Sequence, residues 1–290
     1  MIDYAGLFPP ASLEMSAAVR NYAEYLAGKD AWALGRLIIP LARLGEFESA
    51  AHEFLPRSSD TEQWRLSALA IPHTYADIGK ILDFNRRHAT ASEAGRAIID
   101  TIEMKASAVE EIYRTAKRIP SSIIPYFEFP INRNPIELVN ALGAVGARAK
   151  VRTGGTSQEL FPSSAELAWF LHACAQEKVS FKATAGLHHP IRSVYRLTYE
   201  SDSPSGMMYG FLNVFLAAAF IRDGMNIDES VQLLEEESPQ AFRFDESGVA
   251  WRTHQVSNHS LFDVRQSCAI SFGSCSFREP IDDLHALKLL

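Results

Sequence analysis

Cysteine is scarce in this chain. There are three, Cys174, Cys268 and Cys275, with no Cys-x-x-Cys. An odd, scattered set argues against a disulfide framework and a thiolate zinc site and points to a reducing compartment. A basic surplus is also missing: 28 Lys and Arg stand against 35 Asp and Glu. Nucleic acid and anionic membrane surfaces are therefore poor partners. There is no basic-then-apolar leader, and the most apolar stretch, 207–221, carries Gly210 and Asn213 and is too short to span a bilayer. Repeats, low-complexity tracts, an early Gly-x-Gly-x-x-Gly, His-x-His and His-Glu-x-x-His are all absent. The expectation is a cytoplasmic protein with a small-molecule substrate, no metal and no cofactor.

What is present is a core: 47% apolar residues in 290. Short apolar runs alternate with amphipathic stretches. Strands are predicted at 2–5, 36–40, 67–71, 97–102, 122–128, 147–153, 179–185 and 269–276. Helices are predicted between them, at 13–27, 44–55, 75–88, 107–118, 135–142 and 164–178. Strand followed by helix, repeated at this spacing, implies parallel strands with crossover helices. Eight such units in a chain of this length predict an α/β fold, a (β/α)8 TIM-type barrel. It is read as a single domain, 1–290, with an elaborated seventh βα unit. That insertion, about 191–257, is read as a polar loop at 199–206, an apolar helix at 207–222, an acidic helix at 227–237 and a hairpin at 242–251. The apolar helix leans toward a homo-oligomer.

In such barrels chemistry sits at the C-terminal ends of the strands. The sixth strand carries Arg148, Lys150 and Arg152 on one face, and the seventh carries Lys182 and Thr184 on one face. Two adjacent strands thus aim a lysine into the mouth, and like charge predicts that at least one amine has a depressed pKa. A neutral amine is the nucleophile that forms imines with carbonyl compounds. Acids available for proton transfer are Asp3, Asp100, Glu103 and Glu128. Asp100 and Glu103 are three apart, so a regular strand would turn only one of them inward. Gly154-Gly155, Gly186 and Gly273-Ser274 follow three late strands and suit a phosphate. His188 and His189 follow the seventh strand and read as mouth-lining donors. Cys275, with no paired histidine, reads as a small loop residue. His52, His88, His172 and His285 read as helix-surface residues.

These strand ends resemble those of a class I, Schiff-base aldolase barrel of the deoxyribose-phosphate aldolase type. Ile2-Asp3 with Leu7 and Pro9 is similar to that family's opening Ile-Asp-His-Thr-Leu-Leu-x-Pro. Ile71-Pro72-His73 is loosely similar to its Phe-Pro-x-Gly, and Ile99-Asp100-Thr101-Ile102 to its Ile/Val-Asp-x-Val. Lys150-x-x-Thr153-Gly154 resembles its Lys-Thr-Ser-Thr-Gly. Lys182-Ala183-Thr184-Ala185-Gly186, with Ile191-Arg192, resembles Lys-Ala-Ser-Gly-Gly-Ile-Arg, and Gly273-Ser274-Cys275-Ser276 the final Gly-Thr-Ser loop. The resemblance implies a lyase with Lys150 as the Schiff-base lysine and Lys182 lowering its pKa. Asp100 would shuttle protons with a bound water, Asp3 would assist, and Gly186 and Ser274 would hold a substrate phosphate. Arg152 departs from the family, which has Ser or Thr there, and calls for an acid such as Glu128 or Glu103 beside it.

From the residues alone, either lysine can be the nucleophile. A second reading keeps the barrel without an imine: the Lys and Arg cluster as the anion site of a phosphosugar or phosphoribosyl enzyme, or of a phosphate-ligand binder. A third is non-enzymatic, with the 207–221 and 228–237 helices serving a partner.

Overall fold

A computed structural model describes residues 2–70, 75–90 and 93–290, with Tyr75 and Ala76 described by backbone alone. The expected strand end Ile71-Pro72-His73-Thr74 lies outside the described residues. In chain order the elements begin with β1 (Ile2–Tyr4), α1 (Met15–Ala27), β2 (Leu34–Pro40), α2 (Leu44–Ala51), β3 (Trp64–Leu69) and α3 (Tyr75–Arg87). They continue with β4 (Ala97–Lys105), α4 (Val109–Ala116), β5 (Ile124–Glu128), α5 (Ile136–Ala144), β6 (Arg148–Arg152), α6 (Ser164–Gln176) and β7 (Phe181–Thr184). Then come β8 (Ser193–Arg196), β9 (Ser205–Met208), α7 (Phe211–Arg222), α8 (Ile227–Leu234), β10 (Phe242–Asp245), β11 (Gly248–Trp251) and β12 (His254–Ser257). Last are α9 (Asn258–Ser267), β13 (Ala269–Ser274) and α10 (Arg278–Ala286).

Strands β1, β13, β7, β6, β5, β4, β3 and β2 hydrogen-bond in that order, all parallel, and β2 returns to β1 to close the barrel. The chain is an α/β protein with a (β/α)8 TIM-type barrel. The period-two alternation of β7 carries the logic of the fold. Phe181 and Ala183 are fully buried outside the barrel wall, with the Phe181 ring 5.6 Å from Phe170 of α6 and 6.2 Å from Phe215 of α7. Lys182, between them, therefore points inward. Helix α6 starts where Ser-x-x-Glu predicts: the Ser163 hydroxyl accepts from the Glu166 amide, and the Glu166 carboxylate accepts from the Ser163 amide. Asn226 and Glu229 do the same for α8.

The crossover from β7 to β13 holds everything from β8 to α9. Three expectations change here. Met207 and Met208 belong to β9, which pairs with β8, so α7 begins four residues later than its apolar run suggests, at Phe211. The hairpin at 242–251 gains a third strand, β12. The apolar side chains of α7 are covered within the chain, with Val214 and Ala217 wholly buried, so its composition is no argument for self-association. No helix among the described residues is long and apolar enough to cross a membrane. His88 is buried rather than on the surface, with Nδ1 2.8 Å from the Gly95 carbonyl.

Candidate active site

At the C-terminal end of the strands a cavity of about 240 Å³ opens, lined by residues of β2, β3, β4, β6, β7 and β13. Glu103, Lys150, Arg152, Thr184, His188 and Cys275 are among the residues lining it, together with Gly155, Gly186 and Gly273. Beneath it the barrel interior is ionic. Lys150 and Lys182 face each other across β6 and β7 in direct register. The Lys182 ammonium donates to Asp3 Oδ2 and to Glu103 Oε1, both at 2.6 Å, and is 1% exposed. The Lys150 ammonium lies 2.9 Å from Glu103 Oε2 and 2.9 Å from Glu128 Oε2. Ser67 donates to Glu103 Oε1 at 2.6 Å and Ser271 to Asp3 Oδ2 at 2.8 Å. The Lys150 approach to Glu103 Oε2 is an ion pair that misses hydrogen-bond geometry. That buried oxygen accepts no hydrogen bond among the described residues. It also belongs to a residue that lines the cavity.

Burial by itself would push the carboxyls of Asp3, Glu103 and Glu128 up. The lysines, with Arg36 beside Asp3, outweigh it and hold all three below the usual carboxylate range. Burial would likewise strip the proton from Lys182, but Asp3 and Glu103 raise its pKa instead. For Lys182 the shift is opposite to the one crowding predicts, because two carboxylates accept hydrogen bonds from its ammonium. A pH dependence of stability follows. A carboxyl whose folded pKa is depressed contributes stability above its unfolded value and loses it as pH falls through the folded one. The ordinary values are 3.8 for Asp3 and 4.5 for Glu103 and Glu128. The contribution of these acids is therefore expected to be constant toward neutrality, and the thermal midpoint to fall steeply below about pH 4.5. A midpoint unchanged from neutrality down to about pH 3 would contradict this network.

Asp100 does not join this cluster. The β3–β4 register slips by one residue between the Leu66–Ile99 and Ser67–Thr101 pairs, and Asp100 is the residue left over. Its carboxylate accepts from Arg36 Nε at 2.5 Å and Arg65 Nη2 at 2.6 Å. Both arginines line a separate cavity at the N-terminal ends of the strands. The acid of β4 that meets the lysines is Glu103, so the proton-transfer role expected of Asp100 has no geometric basis.

The rest of the expected site divides. Arg152, 45% exposed, holds its Nε 3.7 Å from Glu128 Oε1 at the cavity rim, which supplies the acid its position called for. Gly154 and Gly155 are needed for packing. A Cβ on Gly154 would sit 2.4 Å from the Phe161 ring, and one on Gly155 2.4 Å from Leu160. Gly186 adopts φ +74 and backs onto Gly154, 3.0 Å from where its Cβ would lie. Ser274 turns its hydroxyl to the Ser276 amide at 3.3 Å and toward His188 Nδ1 at 3.4 Å, and is 1% exposed. His189 is not among the lining residues: its Nδ1 is 2.6 Å from Asp283 Oδ2 and its ring stacks on Tyr195 at 3.6 Å.

Sequence reading missed one arrangement. Cys275 does have a histidine beside it: His188 Nδ1 is 3.9 Å from Sγ, from 87 residues away. Glu279 Oε2 lies 3.1 Å from the same Nδ1 and accepts from the Tyr199 hydroxyl at 2.7 Å. Burial pulls the His188 pKa down, but Cys275 and Glu279 push it up to about 9. The serines that orient the acids, Ser67 and Ser271, were legible as lone polar residues inside apolar strands. Among the described residues no group of three His, Cys, Asp or Glu is placed to hold a metal ion. Compared with family models and with curated proteins, the chain matches none.

Proposed function

We propose that this barrel is a class I aldolase-type lyase in which Lys150 forms an imine with a small carbonyl substrate. The observation that carries the reading is an asymmetry between the two lysines. Each lies between two carboxylates, but Lys150 lines the cavity and Lys182 does not. Only one amine can meet a substrate, and the other is a fixed charge behind it.

The chemistry runs as follows. The Lys150 amine, its proton passed to a neighbouring carboxylate, adds to the carbonyl carbon to give a carbinolamine. Loss of water, assisted by that proton, gives the protonated imine. A base takes the proton of the substrate's β-hydroxyl, the adjacent C–C bond breaks toward the imine, and an aldehyde leaves. The enamine is then protonated on carbon, and water releases the second product and the free lysine. Glu103 is suited to hold the moving proton, since Oε2 is 2.9 Å from Nζ and accepts no hydrogen bond among the described residues. Lys182 keeps positive charge beneath the site and fixes Glu103 from the far side.

Charge balance argues against the anion-site alternative. Lys150, Lys182 and Arg152 face Asp3, Glu103 and Glu128, three cations against three carboxylates. A phosphate would have to compete with acids already in contact. Arg152, the most exposed of the cations, is the group suited to an anionic substituent.

The direct test is borohydride reduction in the presence of small aldehydes, pyruvate and phosphorylated ketoses, read by intact mass and peptide mapping. One adduct on the peptide carrying Lys150 is expected. An adduct confined to Lys182 would overturn the assignment. No adduct across the panel would favour the anion-binding barrel.

A further inference from the structure

Cys275 lines the same cavity as Lys150, directly after β13, and the mechanism above makes no use of it. His188 and Tyr199, 87 and 76 residues away, reach its sulfur, and Glu279 joins them from the helix that follows. His188, from the segment after β7, brings Nδ1 to 3.9 Å and Nε2 to 4.0 Å. Glu279, in the first turn of α10, brings Oε2 to 3.1 Å from the same Nδ1. Tyr199, from the loop between β8 and β9, donates to the same carboxylate and has its hydroxyl 3.5 Å from Sγ. The remaining polar neighbours are Ser274, whose hydroxyl is 3.4 Å from His188 Nδ1, and Tyr4. Cys174 and Cys268 are buried with no such set around them, and burial pushes both thiols up.

A thiol beside an imidazole that a carboxylate holds supplies the parts of a sulfur nucleophile. The residue is 5% exposed and lines the cavity, so a reagent must be small enough to enter. We propose that Cys275 is a second covalent site of this cavity, a thiol that captures small peroxides and is converted to a sulfenic acid. The thiolate sulfur attacks one oxygen of hydrogen peroxide, the O–O bond breaks, and the leaving hydroxide takes a proton from the His188 imidazolium and departs as water. Sulfur loses two electrons and the peroxide gains them. Glu279 is a positioning residue that holds the imidazole charged and oriented toward the sulfur. Oxidation adds an oxygen atom to the wall of a cavity of about 240 Å³, and so narrows the space in which Lys150 meets its substrate. Two equivalents of a small thiol return the cysteine, first as a mixed disulfide with loss of water and then by exchange.

The experiment uses the resting full chain without substrate. A brief pulse of hydrogen peroxide is quenched with catalase, the protein is unfolded in guanidinium with dimedone, and the three cysteine peptides are mapped. Dimedone is expected on Cys275 and not on Cys174 or Cys268. Glu279→Gln and His188→Gln, each checked for folding by circular dichroism, are expected to slow labelling about tenfold, the effect of losing one charge-assisted contact. The assay contains no carbonyl compound, which keeps this result separate from the fate of the imine proposal. Labelling of all three cysteines alike, or an unchanged rate in both Glu279→Gln and His188→Gln, would overturn it.

Discussion

The Lys150→Arg protein is expected to fold like the unaltered chain and to lose carbonyl trapping altogether, with turnover falling by about three orders of magnitude or more. A guanidinium keeps the positive charge between Glu103 and Glu128, 2.9 Å from each in the native ammonium, but has no lone pair free to add to a carbonyl carbon. The cavity beside it has room for the longer side chain. Lys150→Met serves as the companion, losing the amine and the charge together. Trapping retained in either variant would remove Lys150 from the reaction. Turnover retained without trapping would point to anion binding at Arg152 and its neighbours.

Lys182→Met is expected to act on stability as much as on chemistry. The ammonium is 1% exposed and is shared by Asp3 and Glu103, residues 179 and 79 positions away. Removing it leaves two buried carboxylates facing an apolar group, a loss of about 3–5 kcal/mol where one partner of a buried pair is deleted. That is a large fraction of the total stability of a domain, about 5–15 kcal/mol. Urea unfolding at neutral pH would give the difference. Adding Glu103→Gln to Lys182→Met, which removes one of the stranded charges, is expected to recover part of it. A Lys182→Met protein as stable as the original would mean that the pair contributes nothing net. In surviving Lys182→Met protein, Asp3 and Glu103 lose the charge that holds their carboxyls down, so the acid-side fall in stability is expected to begin at a higher pH.

Much of this was readable from the chain itself. Eight strand–helix units came from the alternation of short apolar runs with amphipathic stretches, and the barrel followed from their number and spacing. The inward direction of Lys150 and Lys182 came from a period of two, with Phe181 and Ala183 marking the outer face. Strand pleat and helix period are local properties, set by backbone geometry within a few residues, so they survive in the sequence. Asp100 marks the limit of that reasoning. Its strand was identified, but one slipped pair in the β3–β4 register moved the acid away from the lysines and left Glu103 in its place.

What only the closed barrel decided is which charges meet. Asp3 finds Lys182 because β1 and β7 flank β13, and no local pattern records that adjacency. The same closure set one lysine at the cavity and sealed the other beneath it. The pairing of Cys275 with His188 and Glu279 likewise depends on the 188–189 segment folding back against the start of α10. A lone cysteine in a glycine- and serine-rich turn carries no trace of that in its neighbours. Side-chain direction is set by the residue's own strand, whereas side-chain partnership is set by ring closure and long-range packing, and the chemistry of this cavity rests on the second.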